Sequence, residues 1–331
     1  MPFFISDKIP SLVRRGSVEN QRDWVMVKCI SILKKTGLGS AALLGLLTCT
    51  GFLYQSISAN LEEDKQKSVN HHVTVSNGEL YFESTGKGEP LIFIHAGFSD
   101  HRDWKYQIED FGKEFNTIVY DQRGAGNSSV PISSFSPADD LRAVMDHLKI
   151  EKTAVIGHSL GATIALDFAL QYPERVSSLI LVAPGLNGHM WSPEYSEWFQ
   201  TIWSLSQPKE MTKQALSAPF YALAMADPDI KSEIEMITKE NLEKILTWKS
   251  LDLQWFFSEP ISRLKELKTQ TFIIYGDKDS QDINKIVHTL TDNLPNVEVA
   301  QIQNADHLLN FEQPNELNQL ILKFLRDRHS D

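Results

Sequence analysis

Residues Gly157-His158-Ser159-Leu160-Gly161, between the apolar run Thr153 to Ile156 and the helical stretch Ala162 to Gln171, decide how this chain folds. The order is a strand, a glycine-flanked serine and then a helix. A serine at such a turn takes a strained backbone with φ > 0, which only small neighbours tolerate, and Gly157 and Gly161 provide that space. The strain holds the hydroxyl clear of the sheet, and the amide that follows opens into the same space at a helix N-terminus.

With this turn in that setting, the chain resembles the α/β-hydrolase family, here of a membrane-anchored bacterial type, and the resemblance extends over residues 69–328. It implies a mostly parallel eight-stranded sheet with helices on both faces, and the chain order nucleophile, acid, base. Ser159 is the expected nucleophile. An apolar run from Thr271 to Tyr275 leads into Gly276-Asp277-Lys278-Asp279, and the strand-like Val297 to Gln303 leads into Asn304-Ala305-Asp306-His307. The family pattern puts the acid three residues after the glycine, which selects Asp279 over Asp277, and the base after the last strand, which selects His307. Asp277 is expected to cap the helix that starts near Asp282. A serine needs such a base, and the base an orienting acid, before it can attack a carbonyl.

The resemblance also implies two backbone donors for an oxyanion: the amide of Leu160 and one from the turn His95-Ala96-Gly97-Phe98 after the strand Pro90 to Ile94. The alignment selects Gly97, and a shift of one residue would select Phe98. Ala96 departs from the His-Gly usual there. The longer glycine-rich run of many lipases is absent, which argues against esters of bulky tertiary alcohols. Asp121 to Ser128 matches a further family stretch, in which Asp121 and Arg123 are expected to hold loops. Serine at 159, where an aspartate would suggest dehalogenase or epoxide hydrolase chemistry, disfavours both.

Composition agrees with one large domain: 331 residues, 42% apolar, with strand-like and helical runs alternating from Val73 onward. A formal charge of −11 makes nucleic acid an unsuitable partner. No repeat, phosphate-binding glycine loop or metal-ligand spacing occurs; adjacent His71 and His72 at a strand start point to opposite faces. No cofactor is implied. Cys29 and Cys49, the two cysteines, lie outside the catalytic domain, so no disulfide is expected there.

Residues 183–270 lack strand character and are too long for a loop. Helical spacing in Glu194 to Ser206, Lys209 to Ala226, Ile230 to Ile245 and Ser250 to Phe257 predicts a cap at about 186–262, where the family places a lid. Five of the seven tryptophans fall in it: Trp191, Trp198, Trp203, Trp248 and Trp255. Phe98, Trp191, Trp203 and Phe220 are the expected substrate contacts, with Phe199, Tyr221 and Met225 as further candidates for an apolar pocket above Ser159.

Thr36 to Leu61 carries no charged residue, and about 20 apolar residues span a bilayer. Residues 1–36 have a net charge of +4, leaving −15 for the remainder. This predicts a basic cytoplasmic segment (1–36), a transmembrane anchor or signal sequence (37–58), a polar linker (59–70) and a hydrolase domain (71–331) outside the cytoplasm. Cleavage before Ala59, with secretion, is the alternative, and Met26 is a candidate second start.

The expected activity is hydrolysis of a carboxylic ester or related small acyl substrate through an acyl-enzyme. Lactone, amide or carbon–carbon bond hydrolysis and cofactor-free perhydrolase or haloperoxidase chemistry use the same triad. A non-enzymatic small-molecule sensor is the reading from a different class.

Overall fold

The computed structural model describes residues 71–248 and 260–328. Segments 1–36, 37–58 and 59–70, the run Ser250 to Phe257 and Trp255 lie outside the described residues. Among the described residues no helix is long and apolar enough to cross a membrane.

Eight strands form one sheet in the order β1-β2-β4-β3-β5-β6-β7-β8. They are β1 (His72–Val75), β2 (Gly78–Thr85), β3 (Pro90–Ile94), β4 (Asn116–Tyr120), β5 (Thr153–His158), β6 (Val176–Val182), β7 (Gln270–Gly276) and β8 (Val297–Ile302). β2 pairs antiparallel with both β1 and β4, and every pairing from β4 to β8 is parallel. The central strands read as unbroken apolar runs because both of their faces are covered. In β3, Ile92 and Ile94 enter one core while Leu91 and Phe93 enter the other.

Helices α1 (Lys105–Phe111), α2 (Pro137–His147) and α3 (Leu160–Gln171) follow β3, β4 and β5. The cap between β6 and β7 contributes α4 (Pro193–Ser204), α5 (Pro208–Ala215), α6 (Ala222–Ala226) and α7 (Pro228–Ile245). After β7 come α8 (Gln281–Asn293), α9 (Leu309–Glu312) and α10 (Pro314–Arg328). Residues of α2, α3 and α8 pack on one face of the sheet, and those of α1 and α10 on the other.

Among the described residues, the cap differs from its sequence reading between Lys209 and Ala226. The single run expected over Lys209 to Ala226 is divided into α5, a 3-10 turn at Pro219–Tyr221 and α6. Pro219 has no amide to continue α5, and its ring clashes with the preceding turn. Asp227 caps α7, accepting from the amides of Asp229 and Ile230.

One end of the cap is tied to the body by polar contacts. Lys244 donates to the carbonyls of Gly126 (2.5 Å) and Ser128, Asn241 accepts from the Gly126 amide (2.8 Å), and Lys105 pairs with Glu233. Trp248 lies on Gly124, whose φ of 83° and lack of a side chain admit the indole.

The register brings the ends of β3, β5 and β6 level, with Ile94 opposite Gly157 and His158 opposite Val182. At that edge Ser159 adopts φ 53° and ψ −110°. A Cβ on Gly157 would stand 2.3 Å from the Gly161 carbonyl oxygen, and one on Gly161 2.2 Å from that of Ile94. Backbone cannot move aside as a flexible side chain can. Gly161→Ala should therefore cost about 3 kcal/mol or more, lowering the thermal midpoint by roughly 6 °C or more; a melt within about 2 °C of the parent would contradict this packing.

Candidate active site

Three loops at the carboxyl edge of the sheet converge. Ser159 stands at the β5–α3 turn, Asp279 in the loop after β7, and His307 in the loop after β8. His307 Nε2 lies 2.9 Å from Ser159 Oγ, and His307 Nδ1 lies 2.9 Å from Asp279 Oδ2. The sequence-selected trio is thus brought together, with both ring nitrogens of the histidine engaged.

The second and third loops are fixed against each other. A Cβ on Gly276 would stand 2.2 Å from the Ala305 carbonyl oxygen, and the Lys278 amide donates to that oxygen. Asp277 does not cap the following helix. Ser280 does so, accepting from the Ile283 amide, whereas Asp277 pairs with Lys278 and accepts from the Ala305 amide at 3.3 Å. Asp279 accepts from the Ser280 amide at 2.6 Å, and its side chain is fully buried.

Burial works against the charged form of His307, but attraction and the hydrogen bond from Asp279 outweigh it and raise its pKa above the ordinary histidine value. Burial likewise pushes Tyr195 and Tyr221 upward, reinforced by the Asp279 charge, so both stay neutral.

The donor turn follows from one hydrogen bond. The Ala96 amide donates to Asp103 Oδ2 at 3.0 Å and is committed. Gly97 lies against Leu160, with a hypothetical Cβ 3.8 Å from Leu160 Cδ2. Leu160, as the first residue of α3, has no intrahelical acceptor for its amide. Phe98 takes φ 58° and carries its ring into the cap, 6.0 Å from Trp203.

Above Ser159 lies a cavity of about 790 Å³. Phe98, Trp191, Trp198, Phe199 and Trp203 line it, and polar edges come from Gln122, Thr238 and Asn241. Phe220, an expected substrate contact, is not among the lining residues. Its ring packs between Trp198 and Tyr221 and meets the edge of His307, and its carbonyl accepts from the His307 amide at 3.1 Å. Met225 packs with α7 and α9 residues instead of facing the cavity.

Asp121 and Arg123 hold loops, as expected. Asp121 accepts from the His101 and Asn127 amides at 2.7 Å, and Arg123 pairs with the buried Asp140. Asp100, His101 and Asp121 approach one another closely enough to suggest a cation site. Arg102 already occupies both oxygens of Asp100, and His101 and Asn127 occupy those of Asp121, so the donor set does not fit a metal ion.

Residues 89–227 match the family model described as alpha/beta hydrolase fold. The protein has the α/β-hydrolase fold. Hydrolases and esterases are among the proteins it resembles. The 2-hydroxy-6-oxo-6-phenylhexa-2,4-dienoate hydrolase of Burkholderia cepacia is 26% identical over 266 residues, spanning 76% of this chain and 92% of the relative. Est816, described as an N-acyl homoserine lactone degrading enzyme, superposes with a TM-score of 0.66 at 26% identity, covering 76% of this chain and 99% of that one. The naproxen esterase of Bacillus subtilis shares the fold at 21% identity and a TM-score of 0.65, covering 77% of this chain and 90% of its own.

Sequence reasoning assigned no role to Asp103, Asn310 or Glu312, all of which support this α/β-hydrolase site from beneath. Glu312 Oε2 accepts from the Asp306 amide at 2.7 Å, while Oε1 is buried without a partner. Burial and the neighbouring Asp306 carboxylate push Glu312 up to about 9, so it keeps its proton. A carboxyl raised on folding favours the folded state fully below its unfolded pKa, and that advantage is lost as pH rises towards 9. Glu312→Gln retains a donor and removes the titration. Its thermal midpoint should match the parent near pH 4 and exceed it increasingly up to pH 9; parallel midpoints across that range would contradict the raised Glu312 carboxyl.

Proposed function

We infer that this protein is a serine hydrolase that cleaves a carboxylic ester or related small acyl substrate through an acyl-enzyme. The observation that carries this reading is the pair of 2.9 Å contacts, Ser159 to His307 and His307 to Asp279, beneath an aromatic-lined cavity. In this mechanism Ser159 Oγ attacks the carbonyl carbon as its proton passes to His307 Nε2. Asp279 accepts from His307 Nδ1 and stabilises the imidazolium. The amides of Gly97 and Leu160 receive the developing oxyanion; one such donor is worth about 100- to 1000-fold in rate. The tetrahedral adduct collapses, His307 returns the proton to the leaving group, and water repeats the sequence to release the acid.

The cavity suits this class. Its volume of about 790 Å³ lies within the usual range for small-molecule sites, and its aromatic wall favours an acyl or aromatic substituent over a sugar or a charged peptide. Carbon–carbon bond hydrolysis is the second reading, favoured by the names of two curated relatives, a 2-hydroxy-6-oxo-6-phenylhexa-2,4-dienoate hydrolase and a 2-hydroxy-6-oxononadienedioate/2-hydroxy-6-oxononatrienedioate hydrolase.

Steady-state hydrolysis of p-nitrophenyl esters from acetate to decanoate should show multiple turnovers that vanish in Ser159→Ala. Because the base must be neutral, kcat/KM should rise with pH through a midpoint above the ordinary histidine value, and Asp279→Asn should lower both rate and midpoint. Turnover surviving in Ser159→Ala would overturn the assignment. Absence of ester turnover with rapid cleavage of a dienoate would select the second reading.

The same proposal takes residues 37–58 as a membrane anchor with the hydrolase domain outside the cytoplasm, supported by the uncharged segment and the charge asymmetry around it. The protein should stay with membranes through alkaline carbonate washing, and its domain should be cut by protease added outside spheroplasts. Release by carbonate would refute the anchor.

A further inference from the structure

The mechanism above makes no use of a deeply buried carboxylate that lies beside it. Asp103 is 1% exposed. Its Oδ2 accepts from the Ala96 amide at 3.0 Å and from His158 Nδ1 at 2.9 Å. Asn310 Nδ2 steadies it, donating to the Asp103 carbonyl oxygen at 2.6 Å with Oδ1 3.3 Å away. His158, fully buried, turns its other nitrogen, Nε2, to the His307 carbonyl oxygen at 2.8 Å.

Each partner stands at or beside a group the reaction needs. Ala96 precedes Gly97, His158 precedes Ser159, and the last acceptor belongs to His307 itself. A single carboxylate thereby joins the donor turn, the nucleophile turn and, through one imidazole ring, the base.

Both ring nitrogens of His158 face oxygen acceptors. A neutral imidazole donates from one nitrogen only, so the observed pair of contacts is satisfied by a ring that holds two protons and a positive charge. An isolated imidazolium would not persist in such a place, because burying an unpaired charge is costly. Asp103 is the compensating charge. Burial alone would raise its carboxyl, but the attraction and hydrogen bond of His158 hold it below the usual carboxylate range.

We propose that Asp103 and His158 form a buried carboxylate–imidazolium pair that positions the Gly97 amide, Ser159 and His307 relative to one another. The inference deepens the serine-hydrolase reading and rests on it. His158 does not line the cavity, and Asp103 borders it with only 1% of its surface exposed. The pair acts through the backbone of its neighbours, where a displacement of about 1 Å can cost on the order of 100-fold in rate. An ordinary buried histidine serving only to fill space would need one hydrogen bond and no charge.

Asp103→Asn tests this in the full-length chain. The amide preserves shape and one acceptor oxygen but removes the charge, so His158 must give up one of its two donated bonds. The reaction to follow is labelling of Ser159 by a fluorophosphonate, which requires nucleophile, base and oxyanion donors but no knowledge of the substrate. The maximal labelling rate should fall about 10- to 100-fold, while the half-saturating probe concentration changes less than about twofold, since Asp103 borders the cavity with only 1% of its surface exposed and the amide keeps its shape. Labelling of Asp103→Asn at the parental rate would overturn the proposal. Failure of the parent itself to label at Ser159, judged against Ser159→Ala, would instead count against the serine-hydrolase reading.

Should Asp103→Asn not fold, the parent still decides the matter. In selectively ¹⁵N-histidine-labelled protein, with the ring assigned by its loss in His158→Gln, both His158 nitrogens should carry protons at neutral pH. A ring with one unprotonated nitrogen would overturn the pair.

Discussion

Gly161 lies so close to the carbonyl oxygens of Ile94 and His95 that an added Cβ would stand 2.2 and 2.7 Å from them. This contact between the start of α3 and the end of β3 is the constraint on which the site depends. It sets the nucleophile turn directly against the donor turn, so that the Leu160 and Gly97 amides border the same small space. The strained φ of Ser159 is sustained because the strands on either side, buried in two cores, do not yield.

Around that contact the electrostatics are arranged in depth. Asp279 draws His307 towards the charged state from one side, and Asp103 lies under the base with His158 between them. Asp306, next in sequence to His307, accepts from the Leu223 amide of the cap at 2.8 Å and shares its surroundings with the protonated Glu312. The carboxylates nearest the base thus each have an opposite charge or backbone amides beside them. This permits several acids to be buried within one small region without mutual repulsion dominating.

Much of this was legible in the sequence, for reasons that can be located. Strands whose two faces are buried announce themselves as apolar runs, and a serine between two glycines at a strand–helix junction marks a tight turn that holds its hydroxyl clear of the sheet. Ser159, Asp279 and His307 were accessible because each stands at a fixed offset from a strand end. Phe220 is absent from the lining, and composition reports only that a ring is buried, not which side of the cavity wall it occupies. The division of α5 from α6 required giving Pro219 more weight than the helical residues around it. Asp103 was hidden most deeply. It sits in Asp100-His101-Arg102-Asp103-Trp104, a charged run that reads as solvated surface, and only tertiary folding brings His158 and Asn310, far away in sequence, to its side.

The cap leaves the sheet at β6 and returns at β7, two strands paired side by side with Val182 opposite Ile274. An insertion whose two ends are neighbours can be lengthened, shortened or replaced without altering the register of the strands that carry Ser159 and His307. The substrate-selecting part of such a molecule is therefore free to diverge while the reacting part stays fixed. One restriction remains on that freedom. The His307 amide donates to the Phe220 carbonyl, a backbone group of the cap, so any replacement has to return a carbonyl oxygen to that point whatever side chain it carries.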